Sequence, residues 1–178
     1  MLRKLDSCLA ASYPAIRREL RPGATDAALK RLARLLSPKA KVPRALVQLL
    51  RWHDGSKGRT FLRSWAFHPI TTILREHAGL GMLARMRPSA WQPSWWPLLG
   101  DGSGDFLCVD VAGSLGGKPG QIIELAQGAG LVVHASVERL VETALGLAEA
   151  SVLVEDDAAR FEAIYRKLNP GHPHCGRR

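Results

Sequence analysis

Residues 95–111, with the sequence WWPLLGDGSGDFLCVDV, decide the fold of this chain. Two short apolar runs, at residues 95–99 and 106–111, flank residues 100–105, where only glycine, aspartate and serine occur. Glycine reaches positive φ angles without steric cost, and aspartate hydrogen-bonds nearby backbone amides, so such a segment makes a tight turn between strands. The stretch therefore predicts a β-hairpin with residues 100–105 as its turn.

Further strands are predicted on both sides of this hairpin. Residues 112–120 form a glycine-rich loop, residues 121–125 a third strand, and residues 131–133 a fourth strand after a turn at residues 127–130. Ahead of the hairpin, the aromatic-rich residues 61–67 are typical of one more strand. Since strands that follow one another in the chain usually pair, we expect an antiparallel meander.

Helices are predicted wherever apolar residues recur at a spacing of three to four. The first helix is expected in residues 2–20, with a break near Ser12 caused by Pro14. Two more are expected after a cap at Thr25 and from Pro43 to Gly55. The last three are expected from a cap at Thr71 or Thr72 to about residue 86, after a cap at Ser136, and in residues 161–168. A short edge strand is expected at residues 152–154. Together these elements indicate a single α+β domain.

The composition is that of an ordinary globular domain. The chain has 178 residues, of which 46% are apolar and 23% charged, and one core commonly serves a chain of this size. Its three cysteines are odd in number and widely separated, which favours a reducing compartment over a disulfide framework. Residues 1–6 are charged and do not show the apolar core of an export signal, and no window approaches the apolar length of a membrane span, so we predict neither an export signal nor an anchor. We therefore expect a cytoplasmic protein without a membrane anchor.

Charge is unevenly distributed along the chain. The net charge is +9, but residues 1–100 hold 18 Lys and Arg against 5 Asp and Glu, whereas residues 101–178 hold 7 against 11. A basic half attracts acidic proteins or nucleic acid, and it is equally compatible with a solvated face that binds nothing. The residues of this candidate basic face are Lys30, Arg31, Arg34, Lys39, Lys41, Arg44 and Arg51.

Residues that suggest metal or phosphate binding form incomplete patterns. Asp101, Asp105 and Asp110 could hold a hard cation, but their spacing differs from that of a calcium loop, and aspartate and glycine are the residues that a turn requires. Residues 113–118 lack the Gly-Lys-Ser/Thr ending of a phosphate loop. The turn and a flexible connection are therefore the favoured interpretations.

Catalytic patterns are also incomplete. His53 and Asp54 are typical of a helix terminus more than of a base with its orienting acid, because triads are assembled from distant segments. His172, His174 and Cys175 are of the residue types that bind soft metals, but no second Cys/His pair completes a four-coordinate site. We therefore predict a protein without enzymatic activity, bound metal or cofactor.

Four features of the sequence occur in an order that resembles the SUKH superfamily, which includes the fungal Smi/Knr cell-wall-assembly regulators. They are the helix that ends in Trp52-His53-Asp54-Gly55, the run at residues 95–105, the strand that ends at Asp110, and the strand that begins Gly120-Gln121-Ile122-Ile123. The resemblance covers roughly residues 25–171. It implies an α+β fold with a twisted, mainly antiparallel sheet and helices packed around it, without catalytic activity.

The resemblance also implies a domain organisation and a function. A helical N-terminal extension at residues 1–24 precedes a SUKH-like domain at residues 25–171, and a loose tail follows at residues 172–178. Bacterial members resemble immunity proteins that bind and neutralise a toxin encoded beside them, whereas fungal members resemble interaction hubs. We therefore predict an immunity protein of a polymorphic toxin system, with a nucleic-acid-binding module or a general interaction scaffold as alternatives.

The predicted partner surface combines the concave face of the sheet with the turn at residues 100–105. Immunity proteins against nucleases tend to be acidic, so the charge of +9 favours an acidic protein as the partner. The predicted partner-binding residues are Trp52, Asp54, Trp95, Asp101 and Asp105. The alternative is that Trp52 and Trp95 belong to the core and that Asp101 and Asp105 only shape the turn.

Overall fold

The computed structural model describes residues 1–36, 41–58, 60–86, 90–154 and 157–172. In these ranges six strands form one antiparallel sheet, and each strand pairs with the next strand of the chain. The strands are β1 (Thr60–Leu62), β2 (Trp65–Phe67), β3 (Trp95–Gly100), β4 (Phe106–Asp110), β5 (Gln121–Ala126) and β6 (Ala129–His134). The predicted hairpin and meander are thereby confirmed.

Seven helices surround the sheet within these ranges, which confirms the α+β fold. They are α1 (Leu2–Ser12), α2 (Pro14–Glu19), α3 (Asp26–Leu36), α4 (Arg44–Trp52), α5 (Ile70–Met86), α6 (Val137–Glu149) and α7 (Ala158–Leu168).

Alternate side chains of the strands pack into apolar clusters on opposite faces of the sheet. The main core holds Leu107, Val109 and Ile122, together with the inner sides of α1, α4, α6 and α7. The second cluster comprises Trp91, Trp95, Phe106, Cys108, Ile123 and Leu125. A Cβ added to Gly130 of β6 would lie 2.4 Å from the ring of Trp95 on β3, so the sheet curls around this second cluster. The concave face is therefore filled by the protein's own side chains.

The start of α5 differs from the prediction. The helix begins at Ile70, and its first N–H donates to Oδ1 of Asp54 at 2.8 Å. The predicted cap by Thr71 or Thr72 is wrong, because the capping carboxylate comes from another loop. In contrast, the caps by Thr25 and Ser136 are confirmed: Thr25 accepts from the N–H of Ala28, and Ser136 accepts from the N–H of Arg139, each at 3.2 Å.

Two predicted strands also differ from the structure. Residues 61–67 do not form one strand: Arg63, with a φ of 50°, lies in a turn that separates β1 from β2. The backbone N–H of Arg63 donates to the carbonyl of Leu153 at 2.8 Å, but residues 152–154 do not become a strand. The carbonyl group of Leu153 thus accepts a hydrogen bond from the turn between β1 and β2.

The N-terminal helices belong to the main core. The predicted break at Pro14 is confirmed, since α1 and α2 meet there. Leu5 and Leu9 are fully buried, and α1 packs against α6. In addition, the hydroxyl of Tyr13 accepts from the N–H of Leu153 at 3.3 Å. Residues near the two ends of the sequence therefore share one core.

Candidate functional site

The turn between β3 and β4 is built around the carboxylate of Asp101. Its Oδ1 accepts from the backbone N–H groups of Ser103 at 2.8 Å and Asp105 at 3.2 Å, and its Oδ2 accepts from the Ser103 hydroxyl at 2.6 Å. Gly102 and Gly104 have φ angles of 82° and 106°, a region that favours glycine. Glycine and aspartate therefore shape the turn, as the sequence pattern predicts.

The buried carboxylate of Asp105 connects this turn to the neighbouring one. Its Oδ1 accepts from the backbone N–H of Gln127, between β5 and β6, at 3.4 Å. Residues 102–104 at the tip are exposed, whereas Asp101 is half-buried. A partner that reaches the turn therefore meets the glycine backbone and the Ser103 side chain at its surface, with the two aspartates holding them in place.

The C-terminal half of α5 presents large apolar side chains beside this turn. Met82, Leu83 and Met86 are 69%, 61% and 81% exposed, while Leu80 and Ala84 of the same helix pack against the second apolar cluster. We name Met82, Leu83 and Met86 the α5 patch. Exposed apolar side chains that stand together mark interaction surfaces more often than single ones do.

A cavity of about 590 Å³ lies between the α5 patch and the β3–β4 turn. Leu83 and Met86 line it from the helix, Ser103 and Gly104 from the turn, and Trp91 from the second cluster. Its volume is within the usual range of ligand pockets. The structure thus brings the predicted turn together with an apolar surface that the sequence analysis did not identify.

The same turn borders a second cavity, of about 540 Å³, that is mainly polar. Asp101 lines it together with His68 and three cationic side chains, which are Arg21, Lys57 and Arg75. The two cavities therefore differ in chemistry, with one turn between them.

The other three predicted partner-binding residues have their main contacts inside the protein. Trp95 is buried in the second cluster, where its Nε1 donates to the hydroxyl of Ser114 at 2.8 Å. Trp52 is half-buried and packs edge-on against His53, with ring centroids 4.4 Å apart. Asp54 caps α5. The structure does not bring these three residues onto one surface with the turn.

The predicted basic face lies on α3, on α4 and on the segment between them. Arg51 pairs with Asp26 at 2.6 Å, which joins the end of α4 to the start of α3. Lys39 lies outside the described residues. The other five side chains are exposed and form no ion pair in the described part of the chain: Lys30, Arg31, Arg34, Lys41 and Arg44.

Asp110, at the end of β4, organises the glycine-rich loop that follows it. Its carboxylate is buried and accepts from the N–H of Ala112 at 3.0 Å, from Nε2 of Gln121 at 3.0 Å, and from the N–H and hydroxyl of Ser114 at 2.5 and 2.7 Å. Burial alone would raise the pKa of Asp110, but these donors hold it below its ordinary value. The residue is therefore a charged anchor for the loop.

Cys108 is a buried thiol in the second apolar cluster. Burial raises the pKa of the Cys108 thiol, which keeps the sulfur in its unreactive form. Among the residues that the structure describes, no three or more His, Cys, Asp and Glu side chains are grouped to hold a metal ion. His174 and Cys175 lie outside those residues.

In the same ranges, every helix is too short or too polar to cross a membrane.

Comparison with known proteins gives a family for the chain. No curated protein matches it. The model of the SMI1 / KNR4 family (SUKH-1) matches residues 23–143, a span that includes all six strands, α3, α4, α5 and the β3–β4 turn. This span is more than half of the sequence and contains the four features on which the resemblance rests. The chain therefore belongs to the SMI1 / KNR4 family (SUKH-1).

Proposed function

We propose that this protein binds a protein partner through the α5 patch and the adjoining β3–β4 turn, and that it acts as an immunity protein against a cognate toxin. Its family supports a non-catalytic domain of the immunity or SMI1/KNR4 kind. The observation that carries the proposal is the exposure of Met82, Leu83 and Met86 next to a cavity bordered by a polar turn. An apolar centre with a polar rim is the usual composition of a protein interface.

The α5 patch is large enough to matter for affinity. Removing a Met or Leu side chain from water contributes about 1.5–3 kcal/mol when it is fully transferred, so these partly exposed side chains would contribute about 1–2 kcal/mol each. Methionine is flexible and polarisable, and it therefore adapts to the shape of a partner. The patch thus supplies the apolar centre that a surface of charges alone lacks.

We also infer that the protein acts in the cytoplasm. The two described cysteines, Cys8 and Cys108, are unpaired thiols. Unpaired thiols are typical of proteins from reducing compartments.

A nucleic-acid-binding function is the second candidate, and the exposed cations of α3 and α4 favour it. Such binding would weaken steeply with salt, because it depends on the release of counterions from phosphates. A nucleic-acid-binding function leaves the apolar α5 patch without a role, since phosphate backbones are recognised by charge. A general interaction scaffold would use the same patch but would bind several partners, not one.

The experiment is a pull-down with the tagged protein from its native lysate, treated with nuclease and held at moderate salt. Partners are identified by mass spectrometry, and their affinity is then measured with purified protein. Met82→Lys/Met86→Lys adds two charges to the patch and is expected to abolish capture. Leu35→Lys/Leu131→Lys adds two charges at exposed apolar positions elsewhere, so it is the matched control and should retain the partner.

The possible results separate the three functions. One stoichiometric protein, lost only in the patch variant, supports the proposal; if that protein kills cells unless this chain is co-expressed, the immunity role is established. Equal capture by both variants would show that the interface lies elsewhere. Recovery of nucleic acid alone from untreated lysate, with no protein after nuclease treatment, would support the second candidate instead. Thermal unfolding of both variants checks that they are folded.

A further inference from the structure

The polar cavity beside the β3–β4 turn contains cationic side chains from three separate elements. Arg21 follows α2, Lys57 lies in the loop before β1, and Arg75 is on α5. Arg75 pairs with Glu76 at 2.7 Å. Arg21 and Lys57 are exposed and form no ion pair among the described residues.

Backbone hydrogen bonds hold Arg21 and Lys57 on neighbouring segments. The N–H of Arg21 donates to the carbonyl of Gly55 at 2.9 Å, and the N–H of Lys57 donates to the carbonyl of Glu19 at 3.0 Å. These bonds flank an antiparallel bridge between Leu20 and Ser56, both of which are buried. Because side chains alternate across a bridge, Arg21 and Lys57 lie on the outer side of these paired segments.

The carboxylates near the cavity form no ion pair with Arg21 or Lys57 in the described part of the chain. Asp101 is the acidic residue in the described lining, and its two oxygens accept three hydrogen bonds inside the turn. Glu19 is next to Lys57 in the bridge but forms no ion pair within the described ranges. The hydroxyl groups of Thr60 and Thr72 add further hydrogen-bond donors to the lining.

We propose that this cavity binds carboxylate side chains from an acidic segment of the protein partner. The inference rests on the proposed function and specifies the chemistry of the partner. The cavity has a volume of about 540 Å³, and it offers hydroxyl donors and two cations that have no carboxylate partner among the described residues. Such a cavity is complementary to one or two acidic side chains. The surface then has a charged end at this cavity and an apolar end at the α5 patch.

The length of α5 sets the distance between the two ends. Arg75 borders the polar cavity, and Met86 belongs to the α5 patch. The two residues are eleven positions apart, which corresponds to about 16 Å at the helical rise of 1.5 Å per residue. The partner segment therefore carries its carboxylates about 16 Å from its apolar side chains, which is about five residues of an extended strand or about eleven of a helix.

The test is an NMR titration of the full ¹⁵N-labelled chain with an N-acetylated, C-amidated pentaglutamate peptide. We expect the backbone amides of Gly58 and Gly102, which border the cavity, to shift and to saturate. Arg21→Ala/Lys57→Ala should weaken the peptide at least about ten-fold, which corresponds to about 1.4 kcal/mol. Lys30→Ala/Arg34→Ala removes one Lys and one Arg from α3, so it is the matched control and should change the affinity less than two-fold.

Three results would overturn the inference. Equal weakening in both double variants would mean that the peptide responds only to net charge. Saturation of the same amides by inorganic phosphate at lower concentration than the peptide would identify a phosphate site. Absence of any shift at Gly58 and Gly102 would exclude binding at the cavity.

The partner recovered in the pull-down separates this inference from the proposed function. If Arg21→Ala/Lys57→Ala binds that partner as tightly as the parent chain does, the charged subsite is refuted and the protein-binding function stands. If the pull-down recovers no protein, the proposed function fails even where the peptide binds the cavity. Urea unfolding of the variant confirms that it is folded.

Discussion

Acidification from pH 7.5 to pH 5 is expected to destabilise this protein through His134, whose imidazole is fully buried at the end of β6. Its Nδ1 lies 2.9 Å from Oδ1 of Asn169. The Nδ2 group of Asn169 donates to the hydroxyl of Thr143 at 2.9 Å and to the carbonyl of Tyr165 at 3.1 Å. The amide oxygen is therefore the acceptor, and Nδ1 carries the imidazole proton.

The other nitrogen of this imidazole is poorly placed to take up a proton. Nε2 is buried and has no hydrogen-bond partner among the described residues. Burial lowers the pKa of His134 to about 4, although the hydrogen bond to Asn169 acts in the opposite direction. Electrostatic interactions with His172 and Arg139 lower it further. The folded protein therefore keeps His134 neutral in mild acid.

The size of the effect follows from the difference between the folded and unfolded states. The ordinary pKa of histidine is 6.5, so between pH 6.5 and 4 the unfolded chain binds a proton that the folded chain does not. Stability from this residue is thus fully present above pH 6.5 and is lost as the pH falls. At about 1.4 kcal/mol per pKa unit, the whole loss is about 3 kcal/mol, of which about 2 kcal/mol has occurred by pH 5.

Urea unfolding at pH 7.5 and pH 5 measures this loss in the parent chain and in His134→Gln, which does not titrate. The parent is expected to lose about 2 kcal/mol more than the variant over this interval. Burial also lowers the pKa of His68 and of His77, and both residues remain in His134→Gln. His77→Gln is the matched control and should retain the contribution of His134. Equal losses in the parent and in His134→Gln would refute the reasoning.

Two other substitutions test the contacts that hold the sheet. Asp110→Ala removes the acceptor of four hydrogen bonds and leaves buried donors without partners, so urea unfolding should show a loss of about 3 kcal/mol or more in the free energy of unfolding. The loss should be smaller for Asp110→Asn. A negligible loss for Asp110→Ala would contradict the role of the carboxylate. Gly130→Ala places a Cβ 2.4 Å from the Trp95 ring and should lower the free energy of unfolding by about 1–3 kcal/mol with a change in tryptophan fluorescence. The matched control is Gly79→Ala on α5, where the added Cβ meets open space, and it should be neutral or stabilising; equal stabilities of the two variants would disprove the predicted clash.

Local signals account for the elements that the sequence predicted well. The hairpin turn could be identified because the side-chain hydrogen bonds of Asp101 and the positive φ angles of Gly102 and Gly104 all lie within residues 101–105. The cap at Ser136 is equally local, since its acceptor and donor are three residues apart. In contrast, Asp54 caps a helix that begins sixteen residues later, and no sequence window links the two. Its contribution depends on tertiary packing.

The candidate surfaces could not be predicted from the sequence, because they too depend on tertiary packing. The C-terminal half of α5 is apolar on both sides, so its composition does not show that Leu80 is covered and Met82 exposed. That difference depends on where the second apolar cluster lies. The predicted role of Trp95 in partner binding rests on its position in the run at residues 95–105, and that position does not show whether the ring is buried or exposed. Arg21 and Lys57 lie far apart in the sequence, so the cavity that they share could not be predicted from it.

The packing of α1 against α6 has a consequence for synthesis of the chain. Each strand pairs with its neighbour in sequence, so the sheet can form in the order in which it leaves the ribosome. Leu5 and Leu9 cannot be fully buried until α6, which begins at Val137, has been synthesised. At about 5–20 residues per second, their apolar side stays uncovered for roughly ten seconds. During that interval α1 is available to chaperones and proteases, and its docking closes the core late in folding.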